Sequence, residues 1–399
     1  MPAPRERPPR ILLTGSGHRC DLGASYLRAF AALGHEVELF DWYGHLERWS
    51  AAAPGRAASV VLTTVARRYA AAALLARVRR FRPHVVVLLK TDDLPRVALA
   101  LLRAAPFGCR VVAFHPDDPF NVSWLRGPSH PRAAYQMSHV DHYFLWSERL
   151  LERARPFARA ASYLGFGWDP EVTRPIDPSA AERERFGADV SFIGNWDAKR
   201  ETWLAPIAHS PDVSLAIWGT EDWARKARDP RVRASWRGQA LRHDDLARAA
   251  RSSRVSINVL RPQNETAENM RTYELPGCGV VMLAEASAQQ ERVFREGVEA
   301  VYARSPEELL ARARAVRSWP EERRAVMGAA ALRRAGEHTY RARARSILEV
   351  AAPWFRNHSN SLGYTSAPYD GPAESAAHSG NEDRVPPGPL EGSPCTRSS

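Results

Sequence analysis

Short apolar runs, each closed by a glycine or a polar turn and followed by a helix-length stretch, recur along most of this chain and constrain its fold more than any other feature. The first run, Ile11–Thr14, ends in Gly15-Ser16-Gly17-His18. Asp21 is then expected to cap a helix through about Leu33 that Gly34 stops, and Glu36–Phe40 forms the next strand. A helix near Val65–Arg80, a strand His84–Leu89, a helix Leu94–Ala104 and strands at Arg110–Phe114, His142–Leu145 and Ala161–Leu164 continue the rhythm. Alternation of strand and helix predicts a parallel sheet. Most strand runs are continuously apolar rather than alternating, as expected when helices cover both faces.

Gly165, Gly167, Pro170, Pro175 and Pro178 break this rhythm, and a second series follows. Its strands are expected at Asp189–Ile193, Ser214–Trp218, Val255–Leu260, Val280–Leu283 and Ala300–Tyr302, with closing helices from Pro306 to Ala351. A chain of 399 residues exceeds one ordinary core. The expected organisation is a disordered start over 1–9, a Rossmann-like half over 10–166, a linker over 167–188 and a second Rossmann-like half over 189–336. A helix over 337–356 is expected to cross back to the first half. From residue 357 the composition turns to Ser, Gly, Pro and acidic residues, which predicts a disordered tail over 357–399. Two such sheets imply a cleft at the carboxyl ends of their strands.

Composition excludes several classes. The net charge of +11 is almost all arginine, scattered through helical stretches as at Arg312, Arg314, Arg317 and Arg323. A nucleic-acid binder would gather that charge into one block, so no nucleic acid is expected as partner. Cys20, Cys109, Cys278 and Cys395 form no C-x-x-C pair, and no His/Cys cluster has zinc spacing. A reducing, cytoplasmic compartment and no bound metal are the expectation. The start, MPAPRERPPR, lacks an apolar signal core, and the apolar stretch Ala70–Ala76 is too short to span a bilayer. Peripheral contact with a membrane stays compatible with this composition.

The stretch from Asp189 to Leu348 resembles the C-terminal domain of CgeB-like (spore-maturation-type) glycosyltransferases. The matching blocks are Val190-Ser-Phe-Ile-Gly194 with Lys199-Arg200, Trp218-Gly219, Gly238, and Ser256-Ile-Asn258. Next come Asn269-Met-Arg271-Thr-Tyr-Glu274-Leu-Pro-Gly277-Cys-Gly279, Phe294-Arg-Glu-Gly297, Pro306-Glu-Glu-Leu309 and His338-Thr-Tyr340. The resemblance implies the GT-B fold, with a nucleotide-sugar donor bound by the second half and an unknown acceptor by the first. The nucleotide-sugar is a co-substrate, and neither cofactor nor metal is implied. Gly194 lets backbone approach the donor. Lys199 or Arg200 offers a cation to the leaving diphosphate. Asn269 and Arg271 open a helix whose N–H groups suit phosphate, and Glu274 is implied to accept from ribose hydroxyls. Gly277 and Gly279 end that helix, either for the donor or for packing alone. Many retaining relatives carry a second glutamate eight positions earlier, but Thr266 stands there, with Glu265 one position off. Retention or inversion therefore stays open.

In the first half, Gly17 and His18 follow the first strand, and Cys20 occupies the last glycine position of the dinucleotide motif, so no NAD site is read. Lys90 and Asp92 follow the strand His84–Leu89 and should line the acceptor side. His115, Asp117 and Asp118 follow the strand Arg110–Phe114. One carboxylate or imidazole is needed to deprotonate an acceptor hydroxyl, which makes Asp118, Asp117, His115 and His18 the candidates. An Asp at such a place also serves as a helix cap or turn anchor. Two other classes share the layout: a sugar-nucleotide epimerase, and a non-catalytic binder acting as a structural or assembly factor.

Overall fold

The computed structural model describes residues 8–18, 21–50, 56–104, 107–120 and 131–361. The chain divides into two compact units, Met1–Ala351 and Ala352–Ser399. The first unit holds both sheets. The described part of the second is helical, residues 352–361.

The first series runs β1 (Arg10–Gly15), α1 (Leu22–Ala32), β2 (Glu36–Asp41), α2 (Trp42–Ser50), α3 (Arg56–Phe81), β3 (Val85–Leu89), α4 (Arg96–Arg103), β4 (Arg110–His115), α5 (Pro131–His139), β5 (His142–Leu145), α6 (Glu148–Ala154) and β6 (Ala161–Tyr163). The second runs α7 (Ala180–Phe186), β7 (Ala188–Ile193), α8 (Ala198–His209), β8 (Leu215–Trp218), α9 (Asp222–Lys226), α10 (Pro230–Ala234), β9 (Trp236–Gly238), α11 (His243–Arg251), β10 (Ser253–Asn258), α12 (Arg271–Gly277), β11 (Met282–Glu285), α13 (Ala288–Val293) and β12 (Val301–Ala303). Three helices close it: α14 (Pro306–Arg317), α15 (Glu321–Glu337) and α16 (Tyr340–Ser361).

Each series builds one six-stranded parallel sheet, in the orders β2-β1-β3-β4-β5-β6 and β12-β11-β10-β7-β8-β9. The strands form where the apolar runs require them: Val85–Leu89 is buried along its whole length, and so is Met282–Glu285. Helices cover those strands, as around Phe192, Ile217, Leu204, Trp223 and Leu309 of the second core. Strand order reverses between β1 and β3 in the first sheet and between β7 and β10 in the second, and such switch points are where parallel α/β sheets bind ligands. Thr14 and Thr91 share a 2.6 Å hydroxyl contact along the first seam.

Several expectations need correction. Asp21 takes the N-cap position of α1, but its side chain makes no capping bond. β9 was not expected; it is three residues on an edge, two half-buried around the exposed Arg237, without an apolar run. The stretch 167–188 is not irregular throughout, since Ser179 and Glu182 form a reciprocal capping box that starts α7. Helix α16 runs to Ser361, so residues 357–361 are helical and not disordered. The rest of the expected tail, from 362, and residues 1–7 of the expected disordered start lie outside the described residues, as do Cys20 and Cys395.

Candidate functional site

Two arginines tie together the strand ends at the second switch point. Arg200 donates from Nε to the Val259 carbonyl (3.0 Å), just past β10, and from its guanidinium to the Asn195 carbonyl (3.0 Å), just past β7. Arg271 donates from Nε to the carbonyl of Ile193, the last residue of β7 (2.9 Å), and pairs with Glu274 one turn along α12. Burial lowers the Arg200 pKa to about 10, and Arg261 and Arg271 push the same way. Burial also lowers Arg271, helped by Arg242. The mutual repulsion of these buried guanidinium groups is relieved by an anion placed among them. Lys199 stands beside it, between Glu285 at 2.6 Å and Glu265 at 3.6 Å. Glu285 also accepts from the Leu260 amide (3.0 Å); burial raises its pKa and the Lys199 ammonium opposes that rise.

Gly194 joins this edge through its backbone: its carbonyl accepts from Trp223 Nε1 (2.8 Å), and a Cβ there would meet the Phe192 ring at 3.0 Å. The remaining expected donor residues turn elsewhere. Asn269 Oδ1 accepts from the Thr272 amide (3.0 Å) and its Nδ2 donates to Asn258 (2.9 Å), so it fixes the first turn of α12 to the end of β10. Gly277 is packed under Trp168, whose Nε1 lies 2.3 Å from where a Cβ would stand. Gly279 has φ +70, the left-handed turn that ends α12.

Across from this edge lies the carboxyl edge of the first sheet. Gly17 donates its amide to Asp41 (3.0 Å), which also accepts from the Gly44 amide (3.0 Å). His18 is exposed, and its carbonyl accepts from the Asp21 amide (2.9 Å). Lys90 adopts φ +56 directly after β3 and pairs with Asp117 at 2.7 Å. A non-glycine residue held there stores strain, as residues at functional sites often do. His115 is buried, with Nδ1 2.8 Å from the Asp117 carbonyl and Nε2 3.8 Å from the Asp92 carboxylate. Asp118 is buried, and its carboxylate accepts the Phe120 amide at 2.7 Å, with an Arg149 nitrogen at 4.0 Å. Lys90, Asp92, His115 and Asp117 thus form one cluster, while Asp118 anchors the turn that follows β4.

The two edges meet at a polar junction that sequence reading missed. Gln289 donates to the Trp146 carbonyl (3.1 Å) and accepts from the Glu148 amide (3.1 Å), linking α13 to the end of β5. Glu268 is fully buried and accepts from the Phe166 amide (3.0 Å) and the Tyr273 hydroxyl (2.6 Å). Arg343 of α16 donates to the Phe166 carbonyl (2.8 Å), and the Tyr340 ring packs edge-on against Tyr26 of α1, 5.2 Å between centroids. Only the position of Glu268, immediately before the matching block that opens at Asn269, could have signalled it. Glu285 carried a clearer sign, a carboxylate closing an apolar strand.

Among the described residues, no three His, Cys, Asp or Glu side chains gather as metal ligands. Cys109 and Cys278 are free and buried, and burial lifts their thiol pKa values, to about 11 and about 12.

Two parallel α/β sheets whose carboxyl edges face each other across such a junction define the GT-B fold, and the comparisons agree. The sucrose-phosphate synthase of Thermosynechococcus elongatus superposes with TM-score 0.64 at 13% identity, covering 88% of this chain and 100% of that one. A glycosyltransferase from Rickettsia africae gives 0.61 at 10% identity over 88% and 99%. The HepE protein of Anabaena, in complex with UDP-glucose, gives 0.57 at 12% identity over 86% and 100%. Residues 199–349 match the family model described as glycosyl transferase-like. No curated protein matches the chain.

Proposed function

We propose that this chain is a glycosyltransferase that moves a sugar from a nucleotide-sugar to an acceptor hydroxyl. The supporting observation is a coincidence of place. The stretch matching the glycosyl transferase-like family includes the cationic edge of Lys199, Arg200 and Arg271, and that edge lies at the switch point of the second sheet. Breaking the glycosidic bond leaves charge on the departing diphosphate, and fixed cations lower the barrier to its departure. Glu274, held by Arg271, is the acceptor for ribose hydroxyls in this reading, as in the CgeB-like group that the blocks resemble. UDP-glucose in the HepE structure makes a uridine donor the first to test.

On the acceptor side the hydroxyl proton goes to the cluster around His115. With Nδ1–H donated to the Asp117 carbonyl, Nε2 is the free base, beside Asp92. Asp117 is the second choice, since Lys90 holds it. The reaction needs no metal in this account and runs in the cytoplasm, in cell-surface or spore-coat glycan synthesis. Among the described residues, no helix is long and apolar enough to cross a membrane.

A second reading, nucleotide-sugar binding without transfer, is favoured by one feature. The carboxylate of Asp118 serves its turn and that of Asp117 serves Lys90, so neither expected carboxylate is held ready as a base. A thermal-shift screen of nucleoside diphosphates and nucleotide-sugars tests the shared premise. A ligand at a hundred times its dissociation constant adds about 2.7 kcal/mol to the folded state. A flat response across the panel contradicts both readings; a shift without sugar release on prolonged incubation selects the second.

A further inference from the structure

The outer surface of the first half carries a feature that the transferase reading does not use. Between Glu47 and Asp117 the only acids are Asp92 and Asp93, against twelve lysines and arginines. Both acids are engaged at the cleft end: Asp93 accepts from Trp42 Nε1 (2.7 Å) and Arg67 Nε (3.0 Å), and Asp92 lies beside His115. Neither α3 nor α4 carries an acid of its own; Glu38 pairs with Arg77 of α3 and Asp141 with Arg103 of α4, and Arg68, Arg79, Arg80 and Arg96 stand exposed beside them.

The exposed faces of α3 and α4 are also apolar. Of the eight large hydrophobic side chains exposed among the described residues, five lie on these two helices: Val61 (63%), Val65 (44%), Tyr69 (56%), Val97 (70%) and Leu101 (40%). On α3 the exposed residues Val61, Val65, Arg68, Tyr69, Ala72, Ala76 and Arg79 follow helical spacing and form one stripe. The helices pack side by side, and Arg67 of α3 pairs with Asp93, three residues before the start of α4. Single exposed apolar residues need no explanation, but a grouped set ringed by cations does.

We propose that the α3–α4 face docks on an anionic lipid bilayer. Valine and leucine side chains would enter the headgroup boundary, and Arg68, Arg79, Arg80 and Arg96 would meet lipid phosphates. A nucleic acid would use the arginines and leave the valines in water, so the apolar set favours lipid. This inference stands independently of the transferase reading, because it concerns the side of the molecule and not the cleft.

Sedimentation with vesicles tests it directly. The full chain should pellet with phosphatidylcholine vesicles containing phosphatidylglycerol and stay in solution with phosphatidylcholine alone. Arg68→Gln and Arg79→Gln should each weaken partitioning roughly fivefold, and Val65→Asp with Val97→Asp should abolish it at an unchanged melting temperature. If the aspartate variant unfolds, Val65→Cys carrying an environment-sensitive dye replaces it, and its emission should shift blue on vesicle addition. Failure to pellet, pelleting indifferent to the substitutions, or an unshifted dye overturns the proposal. Binding to duplex DNA that needs the arginines but tolerates Val65→Asp would instead make this a nucleic-acid face.

Discussion

Arg271 does two jobs at once: it ties α12 to the end of β7 and it pairs with Glu274. In the proposed function it also grips the donor phosphate, so Arg271→Ala should weaken nucleotide binding by about 1.5–3 kcal/mol, the usual loss of a charge-assisted hydrogen bond. Glu274→Ala should weaken nucleoside and nucleotide-sugar alike, since its proposed partner is ribose; calorimetry across the two ligand types reads the distinction. Gly277 behaves differently. Adding a methyl there forces it against the Trp168 indole, so Gly277→Ala should cost about 1–3 kcal/mol of stability in urea titration. Unchanged stability would show that Trp168 yields. The sequence could name Gly277 within a matching block but not its role, because Trp168 belongs to a distant stretch of chain and only the fold brings them together. The same limit applies to Asn269, whose bonds to Asn258 and Thr272 are structural. Asp118 is a different case: its bond to the Phe120 amide is local, the turn-anchoring alternative that the sequence already offered.

At the scale of elements, the apolar runs gave away nearly every strand because buried parallel strands need continuous apolar sequence. β11 and β12 shifted by a residue or two, within ordinary boundary error. β9 stayed hidden because Trp236-Arg237-Gly238 has neither length nor alternation. The junction around Glu268 was invisible for another reason: its partners come from three stretches of chain, Tyr163 with Phe166, Tyr273, and Arg343. Burial raises the Glu268 pKa from 4.5 to about 7, opposed by the hydroxyl of Tyr273 and the charge of Arg343. Folding thus takes up a proton between these values. The stability that Glu268 contributes is full below pH 4.5, falls as pH rises toward 7, and is gone above it. The total change is up to about 3 kcal/mol. Glu268→Gln should flatten this slope in melting curves taken from pH 5 to 8. An identical slope in the variant would place the titration elsewhere.

For the whole molecule, two sheets with facing carboxyl edges could be read from strand order alone, but which side chains turn into the opening could not. That depends on the seams between β1 and β3 and between β7 and β10, and neither seam joins consecutive strands. In the proposed function the donor's diphosphate sits at the second seam and the acceptor's base at the first. Calorimetric titration of UDP and UDP-glucose into wild type, Arg271→Ala and His115→Ala tests that division most directly. Wild type should bind saturably, Arg271→Ala should lose at least tenfold in affinity, and His115→Ala should bind as wild type does. Equal affinity in wild type and Arg271→Ala, or a loss confined to His115→Ala, would contradict that division.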